Sequence, residues 1–136
     1  MEIHEREREG VAILDLKGRL TVGPAATDVR EAISNRVGAG QNKIILNLED
    51  VDYVDSTGLG TLVVCFTALQ KAGGALKLLN VNKRNLELLV LTKLSTVFEL
   101  FTDEQDAVNS FFPNREIKRF DILSFIQEQE EQEKES

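Results

Sequence analysis

The residues whose types and spacing could carry chemistry lie together in DVDYVDSTGLGTL, residues 50 to 62, where a hydroxyl stands at the point at which a strand turns into a helix. Asp55, Ser56 and Thr57 are all side chains that cap helix N-termini, and Gly58 and Gly60 let a first helical turn approach another backbone closely. Such a string can be no more than a capping serine, or it can present Ser56 as a regulated hydroxyl. The Gly58-Leu59-Gly60 step also resembles the start of a dinucleotide fingerprint, but Val63 stands where its third glycine belongs.

Other candidates carry less. A Ser-His-Asp arrangement would have to recruit His4, the only histidine, and neither a second base nor an oxyanion motif supports it. Cys65, the single cysteine, excludes an internal disulfide and a thiolate cluster, and between Val64 and Phe66 it reads as a small buried filler. Glu49, Asp50, Asp52 and Asp55 match no calcium-loop spacing and read as solvated carboxylates on a turn. No catalytic residue, metal or cofactor is expected.

The elements that must position Ser56 follow from periodicity. The first twenty residues form a hairpin around Gly10, whose second strand VAILDLKGRL breaks at Gly18. Pro24 opens a helix with Ala25, Val29, Ala32, Ile33 and Val37 on one face, stopped by Gly38 and Gly40. KIILNL, residues 43 to 48, is a nearly continuous apolar run, as expected of a central strand covered on both faces. After a turn EDVDYVDS, a helix from about residue 57 turns Leu59, Leu62, Val63, Phe66 and Leu69 inward and ends at Gly73-Gly74. A strand at residues 75 to 80, a helix from Lys83 to Leu91, a short strand near Thr96 to Phe101 and a helix from Asp103 to Phe112, capped by Thr102 or Asp103, complete the body before Pro113. The alternation predicts an α/β domain over residues 1–113, with a mixed, mostly parallel sheet of about five strands and about four helices. Residues 114–136 form an extension whose apolar part (Phe120, Leu123, Phe125, Ile126) could dock as a fraying helix and whose end, EQEEQEKES, is acidic.

Charge narrows the partner. Of the net −7 over 136 residues, the span 121–136 holds six acids and one base, so residues 1–120 carry only about −2. A nearly neutral body offers no basic stripe for a phosphate backbone, so a protein partner is expected and direct nucleic-acid binding is not. No apolar run reaches the roughly 18 residues of a membrane span, and the charged MEIHEREREG lacks a signal peptide's apolar stretch. A cytoplasmic protein without membrane contact, monomeric or weakly dimeric, is the expectation.

The order of elements, together with LNLEDVDYVDSTGLGTLV, closely resembles the STAS domain of anti-sigma-factor antagonists, from about residue 3 to residue 112. Gly18 to Leu20 (GRL), Ala72 to Val81 (AGGALKLLNV) and Thr92 to Phe101 (TKLSTVFELF) stand where that family has its signatures. The resemblance implies a STAS fold and a partner switch. The serine of the D-S-[ST]-G motif, here Ser56, would be phosphorylated by a partner that is both anti-sigma factor and serine kinase, with a separate serine phosphatase resetting it. The partner surface would comprise Asp55, Ser56, Thr57, Gly58 and Leu59, with the loop Thr21, Val22 and Gly23. Where the family tends to carry an acid before helix one, this chain has Thr21. That departure implies either a different cognate kinase or a non-phosphorylated STAS scaffold or accessory domain of a signalling or transport complex. A phosphate at a helix start would meet free N–H groups and the positive end of the dipole, so modification is expected to leave the fold intact.

Overall fold

The computed structural model describes residues 1–117. Two strands, β1 (Glu2–Arg8) and β2 (Val11–Leu20), form the expected antiparallel hairpin, and their turn residues Glu9 and Gly10 both have positive φ, 54° and 83°. That is the conformation a tight two-residue hairpin turn with the right twist requires. Then follow α1 (Pro24–Gly38), β3 (Lys43–Val54), α2 (Ser56–Lys71), β4 (Ala75–Leu79), α3 (Lys83–Leu91), a 3-10 turn at Leu94–Thr96, β5 (Leu100–Phe101) and α4 (Glu104–Asn109).

The five strands lie in the order β1-β2-β3-β4-β5, with β2 through β5 parallel. Because the order advances in one direction and parallel crossovers are right-handed, α1, α2 and α3 fall on one face. The core there joins Leu14, Leu16, Ile44, Leu46 and Leu78 of the sheet to Val29, Ile33, Leu62, Leu69 and Leu86 of the helices. On the opposite face α4 covers Val11, Ile13, Ile45, Leu79 and Phe101 through Ala107 and Val108. Both faces of β2 and β3 are therefore covered at one end, as the continuous apolar run KIIL predicts.

Farther along that second face the sheet turns polar. Asp15 of β2 accepts from Arg6 Nε (2.8 Å) and from Asn47 Nδ2 (2.8 Å), while Arg6 and Arg8 both reach Glu104 at the start of α4. Lys77 of β4, almost wholly buried, donates to the Ser110 carbonyl (3.0 Å) and hydroxyl (2.8 Å) and lies over the Phe111 ring. These polar contacts hold α4 and the residues after it against the sheet.

Five details differ from the sequence expectation. Gly18 does not break β2: at φ 126° it sits in an irregular stretch of the ladder, and the strand runs on to Leu20. That irregularity lets β3 keep pairing to Val54, so most of the expected turn at 49–56 is strand. Ala26, not Ala25, takes the buried place in α1. The expected strand at 96–101 is a 3-10 turn followed by two strand residues, and α4 stops at Asn109 with Asp103 as its cap. The docking helix expected at Phe120 to Ile126 lies outside the described residues.

Candidate functional site

The site is assembled where β2 and β3 end together. Leu20 and Val54 are paired neighbours in the parallel ladder, and the Asp55 N–H donates to the Leu20 carbonyl (3.2 Å). Asp55 is the residue that caps α2: its Oδ1 accepts from the Gly58 N–H at 2.7 Å. Its Oδ2 accepts from the Val22 N–H at 3.0 Å. One carboxylate thus ties the Thr21–Gly23 loop, which leads into Pro24 and α1, to the first turn of α2. The Gly58 and Val22 N–H groups hold the Asp55 carboxyl below its ordinary pKa, because both bonds favour the charged form.

Gly58 explains why the two segments can come so close. A Cβ at this position would stand 2.0 Å from the Leu20 carbonyl oxygen and 2.9 Å from its carbon, so only glycine allows α2 to start against the end of β2. Gly60, two residues on, has open space around the place of its missing Cβ.

Around this frame the expected site residues separate into two groups. Ser56, Thr57, Val22 and Gly23 are exposed, Val22 at 70%, while Thr21 and Asp55 are half-buried. Gly58 and Leu59 are buried and face inward. They position the surface rather than form it. Ser56 is the first residue of α2, and among the described residues its hydroxyl has no hydrogen-bond partner. The helix end is less open to an anion than the sequence suggests, because the Asp55 carboxylate already occupies the Gly58 N–H. A phosphate on Ser56 would share that end with a seated negative charge and be directed outward.

The remaining candidates lie elsewhere. His4 stands in the edge strand β1 opposite Asp15. Cys65 is buried on α2, and burial pushes its thiol up to about 11, which leaves it protonated at neutral pH. Glu49, Asp50 and Asp52 are exposed on β3 rather than gathered on a turn, and among the described residues no group of acids, cysteines and histidine is arranged to hold a metal ion. Sequence reasoning missed the cluster of Arg19, Tyr53 and Arg84. Arg19 and Tyr53 are cross-strand partners, and the Arg19 and Arg84 guanidinium groups lie 5.0 Å and 4.7 Å from the Tyr53 ring centroid. No local spacing joins residues so far apart in sequence.

A family model described as "STAS domain" matches residues 2–107, most of the chain. The chain belongs to the STAS-domain family. This STAS domain is 39% identical over 61 residues to the anti-sigma-B factor antagonist of Bacillus subtilis, an alignment covering 45% of this chain and 56% of that protein's length. It is 31% identical over 102 residues to the anti-sigma-B factor antagonist of Listeria monocytogenes, covering 74% of this chain and 86% of the relative. The fold is similar to that of the Bacillus cell fate determinant SpoIIAA in the phosphorylated form, with a TM-score of 0.64 at 22% identity over 80% of this chain and 98% of that one. Among the described residues no helix is long and apolar enough to cross a membrane.

Proposed function

We propose that this STAS domain is an anti-sigma factor antagonist, a binding module whose hold on an anti-sigma factor with serine-kinase activity is switched by phosphorylation of Ser56. The observation that carries the reading is the Ser56 hydroxyl, exposed and without a partner among the described residues, on a helix start clamped by Asp55 and flanked by the exposed Val22. Relatives named as antagonists of anti-sigma-B factor support the role, and SpoIIAA, similar in fold, exists in a phosphorylated form. ATP belongs to the kinase, a serine phosphatase resets the switch, and the exchange takes place in the cytoplasm.

The magnitude favours a switch only at close range. Phosphate adds about −1.5 to −2 charges. Across a desolvated contact, one like charge about 4 Å away costs roughly 4 kcal/mol at an effective dielectric of 20, about a thousandfold in affinity. The same charge about 10 Å away in water costs well under 1 kcal/mol. Ser56 therefore acts from within the contact surface, in keeping with its exposure beside Val22.

The test begins with phosphopeptides of this protein from its native cells, in growth and in stress, followed by partner affinity for the wild type, Ser56→Ala and Ser56→Asp. Condition-dependent phosphate on Ser56, and loss of the partner by the folded Ser56→Asp variant alone, are expected. An unmodified Ser56 with full peptide coverage, and equal affinities for all three proteins, would overturn the switch. That result would favour a non-phosphorylated scaffold, one of the two readings that Thr21 leaves open.

A further inference from the structure

Acids outnumber bases in this chain, 23 to 16, and several of its arginines are neutralised within the fold. Arg6, Arg8, Arg36 and Arg115 each engage a carboxylate. Arg19, Arg30 and Arg84 do not: among the described residues no carboxylate lies within 4.0 Å of their guanidinium groups, and of the three Arg19 and Arg84 stand together. Both are exposed, and both rest on the half-buried Tyr53 ring at 5.0 and 4.7 Å. Two like charges are thereby held within a Debye length of each other. The ring's quadrupole attracts both guanidinium groups, and among the described residues neither donates a hydrogen bond to a protein acceptor.

Arg84 is also placed against local preference. It is the second residue of α3, which has no acid in its first turn, where the positive end of the helix dipole favours anions over cations. An arginine there adds positive potential to the start of α3, whereas the start of α2 already holds the Asp55 carboxylate. Tyr53 precedes Ser56 by three residues, no more than about 11 Å of fully extended chain.

We propose that Arg19 and Arg84, mounted on Tyr53, form a docking surface for an acidic segment of a partner protein, next to the Ser56 switch. Carboxylates match paired guanidinium forks by two parallel hydrogen bonds each. Guanidinium groups that already rest on a ring also lose less side-chain freedom on binding than unsupported ones. The inference rests on the binding-module reading but not on phosphorylation. It gives the partner's contact an acidic character, and it makes the surface around Ser56 read charge twice: attraction at the arginines, repulsion at a modified serine.

The experiment titrates an oligoglutamate peptide into the full-length, 15N-labelled chain and follows backbone and arginine Nε–H signals. The largest shifts are expected at Arg19, Tyr53 and Arg84, fading with added salt. The Arg19→Gln/Arg84→Gln double variant should bind about three- to tenfold more weakly, the loss of two exposed charge pairs, with an unchanged melting temperature. Equal binding by the double variant, shifts centred on Arg6 and Arg8, or tighter binding of a short oligodeoxynucleotide at the same residues would overturn the proposal. The titration uses the unphosphorylated chain and reads the arginines directly, so a failure of the phosphorylation switch would leave this readout intact.

Discussion

Gly58→Ala and Gly60→Ala form a matched pair in which helix propensity and packing predict opposite outcomes. In a helix interior, glycine is about 0.5–1 kcal/mol worse than alanine, so propensity alone would have both substitutions stabilise α2. At Gly60 nothing lies within 4 Å of the added methyl, and the full gain should appear. At Gly58 the methyl would meet the Leu20 carbonyl oxygen at 2.0 Å. That oxygen cannot retreat without cost, because it accepts the Asp55 N–H and its strand is paired to Val54. Overpacking against flexible side chains costs about 1–3 kcal/mol, and here the obstacle is backbone, so the upper end applies. Net of the propensity gain, Gly58→Ala should destabilise by about 2 kcal/mol, lowering the melting temperature of a domain this size by about 6–12 °C. Gly60→Ala should raise it by about 2–5 °C. Urea and thermal melts followed by circular dichroism measure both, and amide spectra should show Val22 and Asp55 moving in Gly58→Ala only. A Gly58→Ala protein as stable as the wild type would refute the close approach of α2 to β2 on which the site geometry rests.

Lys77→Met should cost about 1–3 kcal/mol, because it removes the donor to both Ser110 oxygens inside the second core. Hydrogen exchange should quicken over residues 104–112 and stay as in the wild type over α2; uniform quickening would argue against a local latch. Stability should also fall on acidification. Burial raises the Asp15 pKa, but the bonds from Arg6 and Asn47 outweigh it and hold the carboxyl below its ordinary value. Arg6, against a smaller effect of burial, holds Glu104 low as well. Carboxylates lowered in the folded state stabilise it above their unfolded values near about 4, and that contribution disappears as pH falls through the folded values. Acid titration of the wild type and of Arg6→Gln should therefore converge at low pH. A gap of unchanged size below about pH 2 would show that the clamp is not ionic.

The places where the sequence misleads share a physical cause. KIILNL reads as strand because it is apolar throughout, whereas EDVDYV, with three acids, has poor strand propensity and reads as a turn. Its pairing is decided by β2, whose irregularity around Gly18 carries Lys17 to Leu20 alongside Asp50 to Val54. No window centred on β3 contains that partner. β5 is only two residues long and owes its existence to β4: the Leu78 N–H donates to Glu99 and the Asn80 N–H to Phe101. α1, α2 and α3 were legible because each carries its own periodic apolar face. At the site, three capping residue types in a row mark the helix start, but only three-dimensional structure shows that Asp55 caps and leaves Ser56 free. The Asp55 to Val22 bond spans 33 residues and has no local signature.

That division of labour between neighbours is what would let a modification act on binding without acting on folding. If Ser56 were the cap, a phosphate on its hydroxyl would be drawn onto the N–H groups of the first turn, and the switch would act on the helix start itself. With the cap on Asp55, the first turn and the Val22 loop keep their bonds whatever happens at Ser56. The added charge is then felt by whatever faces the serine. The same argument sets apart two variants that both remove polarity here. Asp55→Ala should loosen the Thr21–Gly23 loop and change its amide exchange, and Ser56→Ala should not. Only a change at Ser56 would report on the partner with the frame intact.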